Sequence, residues 1–173
     1  MFGEYIMKNI VLTGFMASGK SSVGKSLASK LNMKFIDTDS LIEKKLSKKI
    51  TDIFKESGEQ YFRQQETNVI EEVSVLTSCI ISCGGGVVLN NYNIELLRKN
   101  GIIVNLYTSA QEVYKRISNN KDRPLLQNTS VEKIQKLMDY RKPFYENCDI
   151  CIETDDLSVE QITDLIVSKI SVF

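Results

Sequence analysis

No histidine occurs anywhere in the 173 residues, which removes the commonest general base and a frequent metal ligand from any mechanism. A catalytic base, if the chain has one, must be a carboxylate. Net charge is missing too: 22 basic residues balance 22 acidic ones, with no block of like charge. Neither a nucleic-acid duplex nor an anionic membrane surface is therefore an expected partner. No apolar run approaches the roughly 18 residues of a membrane span, and the opening MFGEYIMKNI lacks the basic and then apolar segments of a secretory signal. The chain is expected in the cytoplasm and as a monomer, and residues 1–6, ahead of Met7, read either as a dispensable extension or as an alternative start. Neither an internal repeat nor a low-complexity segment is present. Hydrophobic residues at 42% and charged residues at 25% predict one globular domain over residues 1–173, with a core that needs no staple.

Cysteines are few, and their spacing argues against a zinc site. Cys148 and Cys151 fall in NCDICIET, which reads as a strand, so an offset of three sends the thiols to opposite faces. Cys79 and Cys83 would share a face but stand about 13 Å apart along an extended chain. All four are expected as small buried hydrophobes, and no disulfide is implied.

Short apolar runs at residues 9–13, 34–37, 79–83, 102–107 and 149–153 alternate with longer segments of helical period. This is the pattern of βαβ units, and it predicts an α/β fold: a three-layer α/β/α arrangement on a five-stranded parallel sheet, with ligands at the carboxyl ends of the strands. A C-terminal helix is expected to open on a Ser158–Gln161 capping box and to bury a stripe of Val159, Ile162, Leu165, Ile166 and Ile170. The polar, aperiodic segment SNNKDRPLLQNTS, about 118–130, predicts a mobile lid.

The strongest motif is Gly14-Phe15-Met16-Ala17-Ser18-Gly19-Lys20-Ser21, which fits G-x-x-x-x-G-K-[ST] and follows the apolar run Ile10-Val11-Leu12. A strand delivers the chain into a tight turn whose backbone N–H groups converge on phosphates, and the next helix begins with its positive end there. Val23, Leu27, Ala28 and Leu31 recur at helical spacing after it. Lys20 is then the bridge to the β- and γ-phosphates of a nucleotide, and the Ser21 hydroxyl the ligand of Mg²⁺.

FIDTD, residues 35–39, sets two carboxylates two residues apart. Were the segment extended, Asp37 and Asp39 would share a face about 6.6 Å apart and repel by about 2–3 kcal/mol at an effective dielectric near 20. A bare D-x-D is also compatible with a solvated turn; beside a phosphate loop, Mg²⁺ is a candidate for the cation such a pair needs.

Arginine is scarce: Arg63, Arg98, Arg116, Arg123 and Arg141 stand against seventeen lysines. Its planar fork is suited to places where a carboxylate or phosphate must be gripped bidentately. Arg123 lies in the lid segment just before Pro124, where it is either a solvated loop residue or a group reaching the transferring phosphate. Arg63 and Glu66, at i and i+3 of a helix, predict on their own a surface ion pair worth under about 1 kcal/mol. Gly84-Gly85-Gly86 follows the third apolar run and reads either as a tight turn or as backbone in close approach to a ligand.

GFMASGKS, FIDTD, FRQQE, the triple glycine, RPLL and RKPFYENCD follow one another in the order and spacing of one family. From about Lys8 to the end, the sequence resembles the shikimate kinases, a branch of the nucleoside monophosphate kinase-like P-loop fold. The resemblance implies phosphorylation of the 3-hydroxyl of shikimate by ATP, in aromatic amino-acid biosynthesis. It implies that Ala17, Ser18, Gly19, Lys20, Ser21 and Ser22 bind ATP, with Arg116 near the adenine and Arg123 reaching the phosphates from the lid. Asp39 would bind shikimate hydroxyls and act as base in a segment, about 39–67, that holds the substrate with Arg63, Gly84, Gly85 and Arg141, the arginines gripping its carboxylate. Asp37 would support Mg²⁺ beside Ser21. Ala17 stands where the family usually has glycine, Ser22 where it usually has threonine, and Cys83 directly precedes the triple glycine. Alternatives are a kinase of another polyol acid such as gluconate, and a nucleotide-binding regulator that transfers nothing; the regulator has no use for a second carboxylate like Asp39.

Overall fold

The computed structural model describes residues 7–118 and 129–173. Five strands, β1 (Asn9–Thr13), β2 (Lys34–Asp37), β3 (Cys79–Ser82), β4 (Gly101–Tyr107) and β5 (Ile150–Glu153), form one sheet in the order β2-β3-β1-β4-β5. All four pairings are parallel, so each connection is a crossover and both faces are covered. That is why every residue of β1 is buried and the strands read as nearly continuous apolar runs.

Side chains alternate between the faces. Ile10, Leu12, Ile80, Val104 and Ile152 pack with α1 (Lys20–Leu31) and α7 (Val159–Ile170), whereas Val11, Ile36, Ile81 and Ile103 pack with α2 (Thr38–Leu46), α3 (Ile50–Ser74) and α4 (Asn91–Asn100). A third cluster joins α5 (Ala110–Ser118) and α6 (Val131–Tyr145) to Phe15 and Val88. β1 lies between β3 and β4, so the chain leaves it toward one edge of the sheet and later continues toward the other. Open α/β sheets bind ligands at such a reversal, beyond the carboxyl ends of the strands.

Several expectations need correction. Helix α2 begins at Thr38, because Asp37 caps it by accepting from the Ser40 amide at 3.0 Å; Asp37 and Asp39 therefore do not share a strand face. Gly58, at φ 80°, breaks α3 into two helical stretches. The Ser158–Gln161 capping box is present, but Val159 and Leu165 are exposed while Ile162 and Ile166 are buried. Cys79 and Cys83 are buried as expected, whereas Cys148 is half-buried ahead of β5 and Cys151 is exposed. Residues 1–6 and nearly all of the lid segment, Arg123 included, lie outside the described residues.

Candidate active site

The loop from β1 into α1 is shaped by three special backbone positions: Gly14 at φ 145°, Ala17 at φ 61° and Gly19 at φ 93°. Gly14 has no room for a side chain, since a Cβ would stand 2.6 Å from the Leu106 carbonyl oxygen. Gly19 caps α1 without a side-chain bond, so the first amides of the helix face the loop's concavity. Ala17 pays the left-handed backbone cost of about 1–2 kcal/mol that glycine avoids. The ammonium of Lys20 folds back over the loop and donates to the carbonyls of Gly14 (2.8 Å) and Phe15 (2.9 Å).

In the first turn of α1, the Ser21 hydroxyl donates to Asp37 Oδ2 at 2.9 Å. Both sequence-predicted metal residues thus meet, as hard oxygen donors. Asp39, in the first turn of α2, points back into the same cleft. Burial raises its pKa above the usual carboxylate range and Asp37 adds to this, while Lys20 and Arg63 oppose it.

Beyond β3, the glycine turn presses against this carboxylate. The Gly84 amide donates to the buried Thr38 hydroxyl at 3.0 Å, a Cβ on Gly84 would meet Asp39 Oδ1 at 2.4 Å, and one on Gly86 would meet Arg63 Nη1 at 2.1 Å. The turn is glycine because the Asp39 and Arg63 side chains occupy the space that a Cβ would need.

Arg63 donates through Nη1 to both oxygens of Glu66, at 3.1 and 2.9 Å. This is not the surface pair expected: the Glu66 side chain is only 2% exposed, and burial pushes its pKa up to about 7 against the pull of Arg63. Spacing in sequence placed the pair on one helix face but gave no depth for that face. Arg141, on α6, lies over the Phe15 ring at 5.9 Å, and its Nε is buried without a hydrogen-bond partner. One turn further, the Tyr145 hydroxyl donates to the Gly85 carbonyl at 2.6 Å and ties α6 to the glycine turn. Sequence reasoning missed Tyr145, although its i+4 spacing from Arg141 was visible. Arg116 donates to the Ala17 carbonyl (3.0 Å) and to Glu112 (2.9 Å), which braces the phosphate loop from α5.

These elements enclose a cleft of about 330 Å³ lined by Lys20, Ser21, Asp37, Asp39, Gly85 and Arg116 among others. A phosphate cradle thus opens beside a buried carboxylate, Asp39, which the Arg63 guanidinium reaches electrostatically, an arrangement that can place a phosphoryl donor next to an anionic acceptor. The shikimate kinase family profile matches residues 16–171. This chain belongs to the shikimate kinase family. It is an ATP-dependent small-molecule phosphotransferase.

A shikimate kinase of Caldicellulosiruptor bescii is 50% identical over 163 residues, covering 94% of this chain and 95% of that protein. The structure of the Acinetobacter baumannii shikimate kinase in complex with shikimate superposes with a TM-score of 0.90 at 34% identity, covering 96% of this chain and 94% of that one. A gluconokinase from Sinorhizobium meliloti shares the fold alone, at 16% identity and a TM-score of 0.62. Among the described residues, no helix is long and apolar enough to cross a membrane.

Proposed function

We propose that this shikimate kinase family member transfers the γ-phosphoryl group of ATP to the 3-hydroxyl of shikimate, giving shikimate 3-phosphate, with Asp39 as the general base. The observation that carries the reading is the placement of Asp39, a buried carboxylate of raised pKa within the electrostatic reach of Lys20 and Arg63 and pressed against Gly84. Asp39 takes the proton from the acceptor hydroxyl as the new oxygen–phosphorus bond forms, and its raised pKa makes it a better base than a solvated carboxylate.

Arg63 and Arg141 hold the acceptor carboxylate, with the partnerless Nε of Arg141 as a donor in waiting. The Gly84–Gly85 turn supports the acceptor's other side. Lys20 and the loop amides from Ala17 to Ser22 position the phosphates, Arg116 flanks the nucleotide base, and Arg123, from the lid segment, meets the transferring phosphate. Catalysis of this type is mainly positioning and charge stabilisation.

The donor set at Ser21 and Asp37 suits Mg²⁺. The hydroxyl and the carboxylate already meet at 2.9 Å, and Mg²⁺ is usually held by one or two protein oxygens with phosphates and waters. No group of three or more His, Cys, Asp or Glu side chains that could hold a metal ion occurs among the described residues, which fits an ion that arrives with its nucleotide. When bound, it neutralises charge on the phosphates.

The deciding experiment is a coupled assay of ADP release with shikimate, gluconate or no acceptor. Turnover with shikimate alone is expected; turnover with gluconate at a comparable kcat/KM would overturn the acceptor assignment, and nucleotide binding with no turnover on either would leave a regulator.

A further inference from the structure

Arg63 uses both sides of its guanidinium. Nη1 serves the buried Glu66, while Nε and Nη2 both donate to Glu59 Oε1, at 3.3 and 3.1 Å. The two acids differ in mobility. The Glu66 side chain is 2% exposed and packed in place, whereas that of Glu59 is 64% exposed. Glu59 is also the first residue after the break in α3, where Gly58 adopts φ 80° and ψ 173°. It sits where the chain can re-aim without unwinding the stretch that carries Arg63.

The Nε/Nη2 edge matters because it is one on which a guanidinium forks a carboxylate with two parallel hydrogen bonds. With Nη1 committed to Glu66, it is the edge Arg63 has left for an anionic acceptor, and Glu59 stands on it. We infer that Glu59 is a placeholder for the acceptor's carboxylate: it occupies the binding edge of Arg63 and has to be displaced, so it sets both acceptor affinity and the preference for a carboxylate-bearing acceptor. The inference rests on the reading of Arg63 as a carboxylate clamp. Arg141, whose guanidinium is hydrogen-bonded to Tyr145 and whose Nε is buried and unpartnered, has no carboxylate in ion-pair contact among the described residues, so only Arg63 has to exchange one acid for another. An exposed ion pair of this kind supplies enough to weaken a competing ligand by about twofold to fivefold, small beside the grip of the clamp itself.

The test uses isothermal titration of the full chain with shikimate and with its methyl ester, which lacks the charge. Glu59→Gln should tighten shikimate by about twofold to fivefold and leave the ester unchanged. Glu56→Gln serves as the control for a general field effect, because Glu56 pairs with Lys48 and makes no contact with Arg63; it should change neither ligand. Equal tightening by both variants would reduce Glu59 to a diffuse charge, and weaker shikimate binding by Glu59→Gln would make it a support that orients Arg63; either result overturns the inference. Arg63→Gln separates this from the underlying reading. It should weaken shikimate much more than the ester. If it does so while Glu59→Gln has no effect, only the placeholder fails; if it spares shikimate, the clamp and the placeholder fall together.

Discussion

Gly84 and Asp39 are in such close contact that a single added carbon on the glycine would stand 2.4 Å from the Asp39 carboxylate oxygen and 3.2 Å from Glu66 Oε1. Gly84 has an ordinary backbone conformation, being absent from the positive-φ positions, so alanine can fold there and the clash falls on the side chains. Gly84→Ala should leave the melting temperature within a few degrees and nucleotide affinity unchanged. Its kcat should fall about a hundredfold, the scale of a displacement near 1 Å at the reacting centre. Parent-level kcat would show that Asp39 is not held by this contact.

The two carboxylates of FIDTD should separate by magnesium titration. Asp39→Asn keeps shape but cannot accept the proton, so kcat should drop by about 10²–10⁴ whatever the Mg²⁺ concentration. Asp37→Asn, which removes the negative charge beside the Ser21 hydroxyl, should recover part of its activity as Mg²⁺ is raised. Equal recovery in both variants would mean that the pair acts as one metal site.

Acid dependence follows from the same carboxylates. With Asp39 as the proposed base, turnover requires it ionised, so kcat/KM should fall as pH drops through its pKa, which burial and then Asp37 hold above the usual range. Asp37→Asn removes the second of these causes. At saturating Mg²⁺ it should move the acid limb to lower pH; an unmoved limb would assign the limb to another group.

Glu66 has the opposite bearing on stability. Its folded-state pKa is pushed from 4.5 up to about 7, so its protonated form is the one the fold favours. That contribution is fully present below about 4.5 and is lost as pH rises through about 7. Replacing it by Gln, which cannot ionise, should flatten the fall in melting temperature across this window. An unchanged slope would show that Arg63 keeps Glu66 ionised throughout.

Ala17 tests the phosphate loop. Glycine there would relieve the positive-φ strain at φ 61° but add about 0.4–1 kcal/mol of unfolded-state entropy, so Ala17→Gly should change stability by under about 1 kcal/mol and leave ATP affinity intact. Ala17→Val puts a branched side chain in the same conformation and should lose both stability and affinity. Thermal melts and nucleotide titration of the two variants are sufficient; a Val variant as stable and as tight as the parent would show that the loop relaxes away from this conformation.

Much of this was legible in the chain before its structure. Strand, glycine loop and helix are local, so the phosphate cradle from Gly14 to Ser21 and the five apolar runs could be read from neighbouring residues, with strand ends displaced by a residue at most. The acceptor side is made of contacts between distant segments, and there the reading thinned out. The i, i+3 spacing of Arg63 and Glu66 gave a shared face, but the depth of that face depends on the packing of α3 against the sheet. Asp37 looked like one of a pair until its capping bond to the Ser40 amide turned the chain into a helix. Leu165 fits the apolar stripe of α7 and is nevertheless exposed, because the stripe is wider than the surface it covers. Gly86 could be recognised as unusual, but only the position of Arg63 explains it.

The bond from Tyr145 to Gly85 joins residues 60 positions apart, and it gives the two halves of the cleft different histories as the protein is made. A chain emerging from its N-terminus has the continuous stretch from Gly14 to Ser21 early, and the contacts of that loop with Leu106 and Arg116 follow once β4 and α5 have been made. The opposite wall waits until α6 has been synthesised and has docked, and closing so long a loop is a slow, entropically opposed event. Arg141 and Tyr145 come late in the chain, so the proposed acceptor wall is assembled after the phosphate-loop segment, with only β5 and α7 still to be made when α6 docks.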